Sequence, residues 1–209
     1  MPFYKELHIG DCARVLLWKI EEDFNELFRA VRLKDVSLAR LEGMKSESHQ
    51  KGFLCVRMLL QHCGYSDFDL YYDEFGKPHL QDGTHISISH SFDFSAIVLS
   101  DKNIGMDIEQ VKEKVLRIAP RFMDVSHLSG LSVIDQTRKA TVVWGIKEAI
   151  FKLKNEVGIS FPEHIFEDEF CLTDKKSKAR LYFNNTVEHY DICFEPVENY
   201  MLVCALKAN

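Results

Sequence analysis

Ile104-Gly105-Met106-Asp107-Ile108-Glu109 sits at the middle of a 209-residue chain, and its reading organises everything on either side. Alternation predicts a strand with Ile108 turned into the core. On a strand, alternate side chains share a face, so Asp107 and Glu109 fall on the same side. Before this strand, DCARVLLWKI (11–20) reads as a strand, followed by a helical stretch over 21–30. A second helix is predicted over 46–62, where Phe53, Val56, Leu59 and Leu60 recur at helical spacing and Gly64 stops it. FDLYYD, GKPHLQDG, HISIS and FSAIVLS are short apolar pieces separated by turn residues, and they predict strands.

Beyond the strand, helices are predicted over 115–123 and 136–154, then strands near 180–183, 190–194 and 201–206. Both halves therefore run strand, helices, strands. The fold class expected is α+β, with two similar α/β lobes divided as 1–103 and 104–209. Clefts between lobes are favoured ligand sites.

Composition narrows the function. The formal charge is −6, without the basic excess usual in nucleic-acid binders, so no nucleic-acid partner is expected. No apolar run reaches membrane-spanning length, and residues 1–10 lack a signal-peptide pattern, so a cytoplasmic protein away from membranes is expected. Six scattered cysteines without Cys-x-x-Cys spacing suit a reduced compartment. Nine histidines form no His-x-x-x-His pair, which argues against zinc.

Four segments could carry chemistry, and each also has an ordinary structural explanation. Asp107 and Glu109 offer two adjacent oxygen ligands of the kind Mg²⁺ takes, or simply a solvated strand end. In WGIKEAIFK (144–152), Val142, Ile146, Ala149, Ile150 and Leu153 make a buried stripe. Trp144, Glu148 and Lys152 align four apart on another face, where a Glu–Lys pair is usually a surface pair. Gly76-Lys77-Pro78 is turn-like, and SISHS (87–91) places Ser87 and Ser89 on one strand face with His90 opposite; together they could donate to phosphate. A Ser-His-Asp hydrolase is rejected, because Ser89 and His90 point apart and no Gly-x-Ser-x-Gly elbow exists. Around Lys45, Lys51 and Arg57 a solvated basic face is the default.

The order of these segments is more specific than any one of them. GKP, SHS, IGMDIE and then WGIKEAIFK resembles the 4′-phosphopantetheinyl transferase superfamily, in its surfactin-synthetase-activating (Sfp-like) group. A G-x-D-x-E strand and a later W-x-x-K-E-A-x-x-K helix are both complete. FLCVRMLL (53–60) looks like the family's basic helix, and after RFM (121–123) this chain departs from the family, reading DVSHLSG.

The resemblance implies a two-lobed monomer with its active site between the lobes. Such an enzyme transfers the 4′-phosphopantetheine of coenzyme A to a serine of an apo acyl or peptidyl carrier protein. It implies that Asp107, Glu109 and Glu148 hold Mg²⁺ and that Glu148 takes the serine proton, directly or through water. Lys152 would then stabilise phosphate charge. Lys77, Ser89 and His90, with Lys51 and Arg57 on the basic helix, would contact coenzyme A. The alternative is a catalytically silent module that binds coenzyme A or docks a carrier.

Overall fold

The computed structural model describes residues 3–10 and 12–208. Residue 11, at the head of the first predicted strand, lies outside them. The architecture is mixed α/β, and the chain divides into two units, Met1–Lys102 and Asn103–Asn209.

The first unit contains β1 (Phe3–Ile9), β2 (Ala13–Lys19), α1 (Phe24–Ala30), α2 (Asp35–Glu42) and α3 (Glu47–His62). It continues through β3 (Leu70–Tyr72), β4 (Pro78–Leu80), β5 (His85–Ser91) and β6 (Phe94–Ser100). Its main sheet is antiparallel in the order β1-β2-β6-β5, and β3 pairs with β4 separately. Phe53, Val56, Leu59 and Leu60 are buried along α3, as the helical spacing predicts. They pack with Leu16, Trp18, Ile97 and Leu99 of the sheet, and with Leu27 and Leu41 of the two shorter helices. The helix ends at Cys63, and Gly64 takes φ +84, a backbone state that glycine enters without steric cost.

The second unit opens with β7 (Ile104–Gln110) and α4 (Lys114–Ile118), then α5 (Val133–Lys154) and the single turn α6 (Phe161–His164). Four strands follow: β8 (Ile165–Glu167), β9 (Lys176–Phe183), β10 (Thr186–Val197) and β11 (Tyr200–Lys207). They complete an antiparallel sheet ordered β7-β11-β10-β9-β8. One helix expected over 115–123 is instead α4 followed by a 3-10 turn at Ala119–Arg121. Pro120 explains the break, since it has no N–H to continue an α-helical ladder.

α5 is buried on most of its circumference in its second half, where Val142, Val143, Ile146, Ala149, Ile150 and Leu153 are all covered. In its first half two buried polar residues bond back to the helix: Thr137 and Thr141 donate to the carbonyls of Val133 and Thr137, each at 2.8 Å. Lys147 is buried too, and its ammonium donates to Glu167 and to the carbonyl of Ile165 on β8. Ser132 caps the helix start by accepting from the Asp135 N–H, and Asn155 closes the helix at φ +51.

Two glycines let α5 approach its sheet closely. A Cβ on Gly105 of β7 would lie 1.8 Å from the Ala149 carbonyl oxygen, and one on Gly145 would lie 2.6 Å from Val203 Cγ2. Backbone cannot yield as a flexible side chain can. Gly105→Ala is therefore expected to destabilise the unit by about 1–3 kcal/mol or more, as overpacking does. Denaturant midpoints would measure this, and an unchanged midpoint would show that the helix has room to spare.

Candidate active site

β7 and α5 build the core of the site. Pleating puts Gly105, Asp107 and Glu109 on the strand face toward α5, while Ile104, Met106 and Ile108 are buried on the other face. Asp107 is buried (3 % exposed), whereas Glu109 is partly exposed. On α5, Trp144, Glu148 and Lys152 follow at four-residue intervals and are all partly exposed, beside the fully buried stripe. The helix-face reading of the sequence matches the observed burial.

The ion pair made by Lys152 is not the helical one. Its ammonium reaches across to β7, donating to Asp107 Oδ1 at 2.7 Å and to the Met106 carbonyl at 3.3 Å. Lys152 is thereby tied to a strand 45 residues away, with Asp107 as a buried partner.

Glu148 has the most informative electrostatics. Burial removes water from its carboxylate, and Asp107 and then Glu109 repel a further negative charge. Lys152 offsets part of this, leaving the pKa raised to about 7. A carboxyl poised near neutrality beside two other carboxylates has the character of a proton acceptor, or of a ligand whose cation is to be supplied. The donor set is all oxygen, which suits Mg²⁺ rather than a thiolate- or imidazole-seeking metal. Among the described residues, no three Asp, Glu, His or Cys side chains already converge as a metal cluster.

Glu109 also borders a cavity of about 500 Å³ in the second unit. Val115, Ile118 and Trp144 supply apolar lining, and Lys112, Lys114 and Arg117 supply positive charge. Trp144 is held in place by edge contacts with Phe122 and Phe161, at 5.2 and 5.5 Å between ring centres. The DVSHLSG stretch forms a 3-10 turn over Val125–Leu128, capped by Asp124, which accepts from the Ser126 N–H at 2.9 Å.

In the first unit, Ser89 is buried and His90 exposed on β5, consistent with opposite strand faces. The His90 ring meets His49 edge-on at 5.6 Å between centres and lies over Gly52 of α3. A Cβ at Gly52 would come within 2.9 Å of the His90 ring, so this glycine makes room for the imidazole. Lys77 sits in the tight turn between β3 and β4. Its N–H and that of Phe75 donate to Asp73 Oδ1, and Gly76 takes φ +83. Lys51 is partly exposed on α3.

Arg57 behaves differently from the basic residue expected on that helix. It is 2 % exposed, with Nε donating to Asp67 Oδ1 at 2.9 Å and Nη1 to the Phe53 carbonyl. The guanidinium also lies 3.4 Å from the centre of the Phe53 ring. Asp67 accepts in turn from the Ser37 hydroxyl and the Lys34 N–H, which ties the start of α2 to α3. Arg57, which the resemblance places among the coenzyme A contacts, is not on a solvated helix face but forms an internal tie. The reason is packing: an arginine between Val56 and Met58 on an apolar helix is drawn inward once a buried carboxylate meets it.

The second unit thus lays a strand bearing two carboxylates against a helix that supplies a third carboxylate and a lysine. Residues 103–205, in the second unit, match the model of the 4′-phosphopantetheinyl transferase superfamily. The chain is 32 % identical over 102 residues to 4′-phosphopantetheinyl transferase Sfp of Bacillus subtilis (strain 168), covering 46 % of this chain and 45 % of the relative. It is 27 % identical over 137 residues to 4′-phosphopantetheinyl transferase gsp of Aneurinibacillus migulanus, covering 63 % of this chain and 55 % of the relative. Against 4′-phosphopantetheinyl transferase ffp of Bacillus subtilis the match is 26 % over 209 residues, 90 % of this chain and 87 % of the relative. The chain thus spans about half the length of the first two relatives.

Proposed function

We propose that this chain transfers the 4′-phosphopantetheine group of coenzyme A to a serine of an apo acyl or peptidyl carrier protein. The observation that carries the reading is Glu148, raised to about 7 beside Asp107 and Glu109, in the unit that matches the transferase family. In the reaction the serine oxygen attacks the phosphorus bearing the pantetheine. The bond from that phosphorus to the bridging oxygen breaks, and its electron pair leaves with 3′,5′-ADP. Glu148, or a water it orients, accepts the serine proton. Lys152, already beside Asp107, supplies positive charge near the phosphates.

Asp107, Glu109 and Glu148 would hold Mg²⁺, whose contribution is to neutralise charge on the pyrophosphate. The mutual repulsion of these carboxylates supports that assignment, because a cation would relieve it. Lys77, Ser89, His90 and Lys51 would contact the phosphates or the adenosine end of coenzyme A; Arg57 is left out of that set. The apolar, basic-rimmed cavity beside Glu109 would receive the carrier.

In this reading the units 1–103 and 104–209 are two similar lobes in pseudo-twofold arrangement, working as one monomeric cytoplasmic enzyme with the active site between them. The likeness is supported by a shared plan, an antiparallel sheet with one long helix packed on it. No helix of the described residues is long and apolar enough to cross a membrane. Incubation with coenzyme A, Mg²⁺ and an apo carrier domain is expected to add one phosphopantetheine mass to the carrier, and omission of Mg²⁺ to prevent it. Coenzyme A binding without any mass gain on carriers of either class would favour the silent module instead.

A further inference from the structure

Cys193 of β10 and Cys204 of β11 are direct partners in the antiparallel ladder of the second unit. Tyr190, Ile192 and Phe194 on β10, with Val203 and Ala205 on β11, turn into the core beneath α5. By the period of two, both cysteines therefore stand on the opposite face of the sheet. Opposed residues in such a ladder keep their Cα atoms about 4.5–5.5 Å apart, inside the roughly 4.4–6.8 Å that a disulfide spans. The side chains also meet: Cys193 Sγ lies 3.9 Å from the Cys204 carbonyl oxygen, and the two thiols hydrogen-bond.

The neighbours give the two sulfurs different characters. Cys193 is partly exposed, and Cys204 is buried. On its other side Cys193 is paired with Lys176 of β9. Hydrogen bonding from Cys204 and the charge of Lys176 hold the Cys193 thiol below its ordinary value, against burial and Glu195. Cys55 shows the ordinary case, a thiol between Leu54 and Val56 that burial pushes up. An accessible thiol beside an ammonium, with a second thiol directly behind it, is the arrangement in which an attacking cysteine is followed by a resolving one.

We propose that Cys193 and Cys204 form a reversible disulfide site whose co-reactant is a small-molecule disulfide. Cys193, deprotonated, attacks one sulfur of that molecule; its S–S bond breaks and one thiolate leaves with the electron pair. Cys204 then gives up its proton and attacks the Cys193 sulfur, displacing the second thiolate. The protein loses two hydrogens, and the small disulfide is reduced to two thiols, which take up the two protons. In a reducing compartment such a bond is transient. The site is independent of the transferase reading.

The full chain, incubated folded with oxidised glutathione, alkylated and mapped by peptide mass, tests this. In wild type a linked Cys193–Cys204 peptide is expected, reversed by dithiothreitol, while exposed Cys171 carries glutathione and serves as the reactivity control. Cys204→Ala should stop with glutathione on Cys193, because the resolving thiol is gone. Cys193→Ser should leave Cys204 unmodified, because the buried thiol is not reached from solvent. The wild-type map decides alone if either variant fails to fold. Glutathione retained on wild-type Cys193, a bond from Cys193 to another cysteine, or both thiols still reduced when Cys171 has reacted would each overturn the site and leave the transferase reading untouched.

Discussion

Under the proposed reaction, Glu148→Gln is expected to lose transfer activity by about 10²–10⁴-fold, the usual contribution of a positioned general base, while making the metal-free protein more stable at alkaline pH. The two effects have one cause. The carboxyl is raised to about 7 by burial first and by Asp107 second, against an ordinary value of 4.5. Between those values the folded chain holds a proton that the unfolded chain has released. Stability from this group is therefore fully present below about pH 4.5 and is lost as pH rises toward 7. At pH 8 the wild type carries the whole cost, on the order of 2 kcal/mol once partial exposure is allowed for. The glutamine variant avoids it. Its melting temperature should exceed that of wild type by roughly 4–8 °C at pH 8 and match it near pH 4.5. An equal difference at both pH values would mean that packing, not charge, separates the two proteins. Mg²⁺ should raise the melting temperature of wild type and do little for the variant, because a cation held by the carboxylates stabilises the folded state by mass action.

Arg57→Ala is expected to destabilise the first unit by about 3–5 kcal/mol, the cost of leaving a buried charge without its partner. Asp67 would keep the Ser37 hydroxyl and the Lys34 N–H but lose the guanidinium at 2.9 Å, and the Phe53 carbonyl would lose a donor. Replacing both members of the pair with apolar residues, as in Arg57→Met with Asp67→Leu, should recover much of that loss, since no charge then remains buried. Urea midpoints of the two single variants and the double variant measure the coupling. Coenzyme A affinity, measured well below the melting temperature, should be retained in the double variant. Loss of affinity with recovered stability would return Arg57 to the binding set.

These two residues mark where sequence reasoning succeeds and where it stops. Glu148 was legible because helical spacing sorts side chains by face: Ile146, Ala149 and Ile150 had to be buried, so Glu148 and Lys152 had to lie elsewhere. Arg57 was not legible, because its partner Asp67 is ten residues on, beyond the end of α3. No local pattern announces a buried ion pair between a helix and the segment after it. The edge strand β1 was missed for a related reason. Its residues are all partly or fully exposed, so alternation gives no apolar face, and the element exists through its ladder with β2.

Local spacing by itself determined that Asp107 and Glu109 share a strand face, that α3 and α5 are helices with those buried stripes, and that Gly64 ends the first of them. These follow from the fixed periods of strand and helix, which hold whatever the chain packs against. Tertiary structure decided the partners. Gly105 and Gly145 let α5 settle against β7 and β11, and that close approach brings Lys152 to Asp107 and places Glu148 where two other carboxylates raise its pKa. A proton affinity depends on charges and water within a few ångströms in space, and those distances are set by which surfaces can touch.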